Sequence, residues 1–146
     1  RFMKVFIYLF QLLLLSLCLS ACKNDFSQMP DFTVSRPLCR NREISFDFYN
    51  KSESEVKAIQ IKMNVFDKET GLPALKGAVT LVCSFDCEIP SFRKELFSFS
   101  LTDYLENDGN KELIIDNFYV SRITFANGKE WKDMFGFYLN RGNYYE

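Results

Sequence analysis

Alternation of apolar and polar residues is the feature that most restricts the fold of this chain. Residues 59–65 alternate between the two classes, and residues 44–48 repeat the pattern. A period of two places all the apolar side chains on one face of an extended strand, where a core can bury them. Further strands are predicted at residues 78–85, 96–101, 113–125 and 131–138.

About seven short strands with almost no helical periodicity predict an all-β domain, an antiparallel β-sandwich. The 146 residues are enough for one domain with a core, and 16 phenylalanines supply large apolar side chains for it. Residues 113–125 are long enough for one strand with a bulge or for two strands. Phe135 and Phe137 are predicted to point into the core from the last strand.

Three segments predict turns between these strands. Residues 67–71 are typical of a hairpin-type turn that ends in glycine. Asn127 and Gly128 form the pair that favours a type I′ hairpin turn, because both tolerate positive φ. Thr102 is predicted to cap a single helical turn over residues 102–106.

The first 21 residues are predicted to be a secretory signal. Lys4 supplies a positive start, residues 5–19 are almost entirely apolar, and the small residues Ser20 and Ala21 follow. An apolar run of about 15 residues is shorter than the roughly 20 that a membrane-spanning helix needs. A basic start, a short apolar stretch and a small-residue end are typical of a cleaved signal. An uncleaved anchor helix is the alternative.

The end of this stretch, Leu19-Ser20-Ala21-Cys22, resembles the lipobox of bacterial lipoproteins. The resemblance implies cleavage between Ala21 and Cys22, a diacylglycerol on the Cys22 thiol, and often an acyl chain such as palmitate on the new amine. Two or more acyl chains anchor a soluble domain stably to a bilayer. An ordinary signal peptide with a chance cysteine at the cleavage point is the alternative.

The resemblance to a lipobox implies a location in a bacterial cell envelope, anchored by lipid and facing the periplasm or the cell exterior. Residues 22–38 are mixed and polar, contain Pro30 and Pro37, and show no period. They are predicted to be a lipidated, flexible tether. Residues 39–146 are predicted to be the β-sandwich domain.

Two segments of the domain resemble small Ig-like modules of bacterial exported lipoproteins. Residues 48–52 with the strand at 59–66 resemble their opening hairpin, and residues 123–131 resemble their closing hairpin. The resemblance implies an Ig-like sandwich. It implies no activity, since a fold alone does not specify a function.

The chain contains no histidine. This absence excludes Ser-His-Asp and Cys-His catalysis, histidine zinc sites and histidine pH switches. The 18 basic and 19 acidic residues nearly balance and form no basic block, which argues against nucleic-acid binding. No cofactor or metal site is predicted. The acidic loop at 106–110 fails the EF-hand pattern because Tyr104 and Ile115 fall where acids are needed.

Cys39, Cys83 and Cys87 remain once the signal is removed and Cys22 is lipidated, and an exported compartment permits disulfides. Cys83 and Cys87 would be about 13 Å apart along a straight strand, so they can join only if the chain turns between them. A bridge from Cys39 to one of them is a second alternative. Buried free thiols are the third.

Aromatic residues late in the chain are candidates for a binding surface. Trp131, Tyr138, Tyr144 and Tyr145 would form a face for protein or sugar if they were exposed together. The alternative is that Trp131 fills one edge of the sandwich and the terminal tyrosines lie along a sheet.

These features favour a non-enzymatic binding or envelope-assembly module that contacts the membrane through Cys22 and a protein partner through strand edges or loops. The alternative is a small envelope hydrolase that uses a pair of carboxylates. The candidate pairs all lie in predicted loops or at strand ends, where solvated acids are normal. They are Glu53 and Glu55, Asp67 and Glu69, and Asp103 and Glu106.

Overall fold

The computed structural model describes residues 30–106, 109 and 111–138, which form two four-stranded antiparallel sheets. The strands are β1 (Phe32–Val34), β2 (Leu38–Arg40), β3 (Glu43–Asn50), β4 (Val56–Asp67), β5 (Thr80–Ile89), β6 (Arg93–Ser100), β7 (Leu113–Phe125) and β8 (Glu130–Lys132). The prediction of an all-β, antiparallel sandwich is confirmed. The predicted signal at 1–21 and Cys22 lie outside the described residues.

The first sheet is built around β3, which pairs along its whole length with β6. The other edge of β3 is shared by two short strands, with β1 opposite residues 48–50 and β2 opposite residues 43–45. Pro37 lies between β1 and β2. Because proline has no N–H to donate to a ladder, it interrupts this edge strand.

The second sheet has the order β5-β4-β7-β8. Its central strand β4 has the alternating burial that the sequence predicted for residues 59–65. β7 is one irregular strand, so residues 113–125 form a single strand with a bulge and not the two strands that were the alternative. Gln60 lies opposite Arg122 while Ile61 lies opposite Val120, so Ser121 is an extra residue that forms a bulge.

The two hairpins predicted from the Ig-like resemblance have different outcomes. β3 and β4 belong to different sheets, so residues 51–55 cross between layers and the opening hairpin was predicted wrongly. The closing hairpin between β7 and β8 is confirmed. In its turn Gly128 has φ +78°, but Asn127 does not have positive φ, so the turn is not type I′. The Ig-like relationship itself stays a prediction.

Aromatic rings meet across the space between the sheets, among a larger number of buried aliphatic side chains. Phe46 stacks on Phe97 with centroids 5.2 Å apart, and it meets the edge of Phe118 at 5.1 Å. Phe85 contacts Phe97 at 5.2 Å, which links β5 to β6. Since burial of a phenylalanine side chain contributes about 1.5–3 kcal/mol, these rings add to the cohesion between the layers.

The folded domain begins before residue 39, the boundary predicted from the sequence. Phe32 and Val34 are buried, and the ring of Phe32 contacts Phe48 and Trp131, each with centroids 5.5 Å away. Residues 32–34, which the sequence assigned to the tether, are therefore part of the sandwich. A three-residue strand is too short to display a hydrophobic period, which explains the error.

The two remaining turn predictions also differ in outcome. The turn after β4 is confirmed, since the Asp67 carboxylate accepts the N–H groups of Glu69 at 2.9 Å and Thr70 at 3.1 Å. The predicted helical turn is a 3₁₀ turn at Thr102–Tyr104. Thr102 does not cap it, because the turn begins one residue earlier than expected, after Leu101. Within the described ranges, no helix has the length and apolar character needed to cross a bilayer.

Candidate binding surface

The two described residues of the predicted aromatic surface, Trp131 and Tyr138, are not exposed. Trp131 is half-buried and Tyr138 is buried, and their rings contact each other with centroids 5.4 Å apart. Trp131 also packs on Phe32, so it fills the edge of the sandwich where β1 meets β8. Tyr144 and Tyr145 lie outside the described residues.

The exposed apolar side chains in this region belong instead to residues 133–138, which we call the aromatic loop. Phe135 is 76% exposed, Phe137 is 56% exposed and Met134 is 57% exposed. The two phenylalanine rings contact each other with centroids 5.7 Å apart. The prediction that Phe135 and Phe137 enter the core was wrong, because β8 ends at Lys132 and the alternation ends with it.

The aromatic loop is fixed at its base by Asp133. This side chain is buried, and its two carboxylate oxygens accept the N–H groups of Phe137 at 3.0 Å and Tyr138 at 3.1 Å. The N–H of Asp133 donates to the carbonyl oxygen of Ser121 at 2.9 Å. The chain is thus folded back on itself immediately after β8.

Tyr119 on β7 supports the aromatic loop from beneath. Its hydroxyl donates to the carbonyl oxygen of Met134 at 3.1 Å, and the Lys62 ammonium donates to the same oxygen at 3.3 Å. Gly136 has φ +71°, and a Cβ at that position would lie 3.2 Å from the Tyr119 ring. Burial and the neighbouring Asp133 carboxylate both raise the pKa of Tyr119, so the hydroxyl keeps its proton and acts as a donor.

Sequence reasoning missed this loop, although one signal was present. Asp133 and Gly136 are the residue types that favour a turn, since aspartate bonds nearby backbone N–H groups and glycine accepts positive φ. The alternation of Phe135 and Phe137 predicted a strand, although Asp133 and Gly136 favour a turn.

A second surface feature is an open cleft of about 940 Å³, which we call the basic cleft. It lies where the turn between β2 and β3 approaches the start of β7. Its described lining includes the cationic residues Arg40, Arg42, Lys68 and Lys111 and the acidic residue Glu112. The basic residues come from three separate parts of the chain, so no basic block marks the cleft in the sequence.

Two of these cations are neutralised by neighbouring carboxylates. Lys68 pairs with Glu112, and the Lys111 ammonium lies 2.7 Å from the Asp67 carboxylate. The Arg42 guanidinium donates to the carbonyl oxygen of Gly109. Within the described part of the chain, Arg40 and Arg42 have no carboxylate partner. Among the described residues, the charges that line the basic cleft and their ion-pair partners therefore sum to a positive value.

The turn between β2 and β3 projects these arginines. Arg40 lies opposite Glu43 in the ladder, and the two residues between them, Asn41 and Arg42, have φ of +49° and +64°. Asparagine tolerates this left-handed region, but arginine adopts it rarely. Such backbone strain occurs often at binding sites and persists only where neighbouring contacts maintain it.

Cys39, Cys83 and Cys87 are all free thiols in the structure. Cys83 and Cys87 lie on the continuous strand β5, so no turn brings them together as a disulfide would require. Cys39 lies on β2 in the other sheet. Of the three alternatives, the half-buried free thiol is the one observed.

Burial raises the pKa of all three thiols. For Cys87 burial is the largest cause, the Glu95 and Asp86 carboxylates add to it, and the pKa reaches about 11. A thiol of this kind holds little thiolate at neutral pH, the reverse of what a reactive cysteine needs.

The carboxylate pairs considered for hydrolysis do not form buried, facing pairs. Asp67 is buried and bonded to Lys111, whereas Glu69 is exposed. Glu55 pairs with Lys57 at 3.1 Å, and its predicted partner Glu53 is exposed. The third pair, Asp103 and Glu106, is exposed. No three cysteine, aspartate or glutamate side chains within the described ranges are grouped to hold a metal ion.

The chain matches no model of a known protein family, and no characterised protein is significantly similar to it in sequence.

Proposed function

We propose that this protein is a lipid-anchored, non-enzymatic binding or assembly module of a bacterial cell envelope. The membrane anchor is the acylated Cys22, and the domain faces the periplasm or the cell exterior. The sequence Leu19-Ser20-Ala21-Cys22, placed directly after the apolar run, supports this anchor. Two acyl chains on one residue suffice to hold a soluble domain at a bilayer.

The observation that carries the binding role is the basic cleft of about 940 Å³. The tether joins the domain at Phe32, opposite Asn50 at one end of β3, while Arg40 lies opposite Glu43 at the other end. The eight residues of β3 span about 25 Å. The cleft is thus at the end of the sandwich away from the tether, where a partner has access to it.

The chemistry of the cleft favours an acidic segment of an envelope protein as partner. Arg40 and Arg42 have no carboxylate partner within the described ranges. The planar guanidinium group binds carboxylates through two parallel hydrogen bonds, which adds direction to the charge attraction. A partner with aspartate or glutamate side chains would supply the missing acceptors.

The anchor is tested by the intact mass of the mature N-terminus, purified from native membranes beside a Cys22→Ala variant. We expect a diacyl or triacyl adduct on Cys22 and none in the variant. An unmodified N-terminus in the soluble fraction would refute the anchor.

The cleft is tested with a hexaglutamate peptide, titrated into the protein while backbone amide NMR shifts are recorded. We expect shifts at residues 40–42 and 111–114, and we expect Arg40→Glu to abolish them. Arg93→Glu, at an exposed position on β6, changes the net charge equally and should leave them intact. Raising the ionic strength from about 0.01 M to about 0.15 M shortens the screening length from about 30 Å to about 8 Å and should weaken binding. Equal loss of the peptide-induced shifts in both variants would refute a specific role of the cleft.

A further inference from the structure

We infer that the aromatic loop is a membrane-contact element that seats the domain on the bilayer carrying its lipid anchor. The inference rests on the proposed anchor and deepens it, because it names a second membrane contact and gives the domain an orientation. The occupant assigned to the loop is the boundary between lipid headgroups and acyl chains.

The first support is the exposure of adjacent large apolar side chains. Met134, Phe135 and Phe137 each expose more than half of their surface on one short loop. Single exposed apolar residues are common on soluble proteins, but a contiguous group marks a contact site. Phenylalanine is among the side chains that enter the headgroup–acyl boundary in proteins that lie on a membrane.

The second support is the fixed conformation of the loop. Asp133 bonds two N–H groups of the loop, and Tyr119 and Lys62 both donate to the carbonyl oxygen of Met134. These bonds hold the loop with its apolar side chains outward. Because the loop is already ordered, little conformational entropy is lost when it meets a partner surface.

The third support favours lipid over protein as the occupant, and it comes from where the chain joins the domain. The ring of Phe32 contacts Trp131, and Trp131 contacts Tyr138 at the end of the aromatic loop. Residues 23–31 separate Cys22 from Phe32 and span on the order of 30 Å when fully extended. A bilayer that holds the acyl chains of Cys22 therefore lies within reach of the loop.

The charges beside the loop also suit a membrane. Lys62 reaches the loop directly, and Lys132 precedes it and pairs with Glu130 at 3.0 Å. The Asp133 carboxylate is buried and bonded to the loop N–H groups. Glu130 neutralises Lys132, which leaves the Lys62 cation to attract anionic headgroups, which many membranes contain.

The test places a tryptophan probe at the loop of the lipidated mature protein. Phe135→Trp is compared with Leu96→Trp, a control at a 66% exposed apolar position on β6, on the edge of the first sheet opposite β1. Both positions are exposed, so neither substitution disturbs the core, and Trp131 contributes the same background to both. The proteins are reconstituted into phosphatidylethanolamine–phosphatidylglycerol vesicles, with and without bromine on the acyl chains, and floated on a density gradient.

We expect the Phe135→Trp emission to shift to shorter wavelength and to lose most of its added intensity in brominated vesicles, while Leu96→Trp retains its intensity. If the protein floats but the two probes are quenched equally, the loop contacts lipid no more than the control position does, and the inference is overturned although the anchor stands. Strong quenching of the loop probe by aqueous iodide would also overturn the inference of membrane contact. The loop would then be assigned to contact with a protein partner or a second copy of the chain.

A protein recovered without acyl chains would refute the proposed anchor, and the same two probes still decide the role of the loop. The unacylated protein is then titrated with the same vesicles. A blue shift confined to Phe135→Trp would support the membrane contact independently of the anchor, and no shift in either variant would overturn it.

Discussion

The side-chain amide of Asn50, at the end of β3, donates to the carbonyl oxygen of Ile89, at the end of β5, at 3.0 Å. The two strands belong to different sheets, so this bond joins the layers. The same nitrogen lies 2.9 Å from the carbonyl oxygen of Ser54 and 3.2 Å from that of Pro90. Asn50 is 1% exposed. The buried Asn50 side chain therefore fixes both segments of chain that cross between the sheets here, residues 51–55 and 90–92.

Replacing Asn50 with alanine should lower the free energy of unfolding by about 1–3 kcal/mol, because buried carbonyl groups lose their donor. Asn50→Asp should lower the free energy of unfolding by at least as much, since a carboxylate cannot donate to these carbonyl oxygens. Urea denaturation measures both changes. Asn64→Ala is the control, because half-buried Asn64 accepts one bond, from the Thr80 hydroxyl. A loss at Asn50 no greater than at Asn64 would contradict the role given to Asn50.

The aromatic core predicts a large effect at Phe46, which contacts Phe85, Phe97 and Phe118 from three sides. Phe46→Ala should lower the free energy of unfolding by about 3–5 kcal/mol, because it removes a buried ring and leaves a cavity between the sheets. Phe92→Ala, at a position 58% exposed, should change stability by no more than about 0.5 kcal/mol. Similar losses in the two variants would show that the rings do not hold the layers together.

The support of the aromatic loop predicts a difference between two glycines with nearly the same backbone conformation. Gly136 has φ +71° with the Tyr119 ring 3.2 Å from the position of an added Cβ, while Gly71 has φ +68° with nothing within 4 Å. Gly71→Ala should lower the free energy of unfolding by about 1–2 kcal/mol, because alanine is strained in the left-handed backbone conformation. Gly136→Ala should cost more, since the ring must also move. Equal thermal stabilities of the two variants would mean that Tyr119 does not pack tightly beneath the loop.

The pKa of Asp67 predicts acid sensitivity. The Lys111 ammonium lowers it most, and the N–H groups of Thr70 and Glu69 lower it further. Because the folded pKa lies below the unfolded value of about 3.9, this stabilisation is fully present above the unfolded pKa and is lost as the pH falls through the folded pKa.

Urea unfolding measured between about pH 5 and about pH 2 tests this dependence, a range that brackets the unfolded pKa. Asp67→Asn should show a weaker fall in stability with acid than the unchanged protein, and Lys111→Gln should show an intermediate fall. An Asp67→Asn curve parallel to that of the unchanged protein would rule out a contribution from this carboxylate.

The pKa of Cys87, raised to about 11 mainly by burial and further by Glu95 and Asp86, predicts slow alkylation. Iodoacetamide should modify Cys87 slowly near pH 8, and the rate should continue to rise towards pH 11, because the thiolate is the nucleophile. Glu95→Gln should accelerate the reaction at a given pH, since it removes the larger of the two carboxylate effects on the Cys87 pKa. Peptide mass spectrometry follows the rate, and a plateau near the ordinary thiol pKa of about 8.5 would contradict the shift.

Strands with several alternating residues were predictable from sequence, and short or irregular segments were not. β3 and β4 bury one face each, so residues 44–48 and 59–65 carry the period that burial imposes. β1 has only three residues, and Phe32 is buried through contacts with Phe48 and Trp131, which are distant in sequence. The polar segment after Asn50 signals a turn but not its direction, so a crossing between sheets was read as a hairpin.

The same distinction holds for the functional candidates. The segment Leu19-Ser20-Ala21-Cys22, which resembles a lipobox, is a local pattern of four residues that can be seen in the sequence. The basic cleft is not local, because Arg40, Lys68 and Lys111 meet only through the pairing of β2, β4 and β7 with their neighbours. The aromatic loop looked like a strand because Phe135 and Phe137 alternate, while Gly136 between them takes a positive φ that an extended strand does not.

The free thiols of Cys39, Cys83 and Cys87 have a consequence for how the protein can be made. The described sandwich is joined by stacked rings and by the amide of Asn50, and it uses no sulfur cross-link. Addition of a reductant should therefore leave its unfolding midpoint unchanged. We therefore expect the described domain to reach the same folded state under reducing conditions as under oxidising ones.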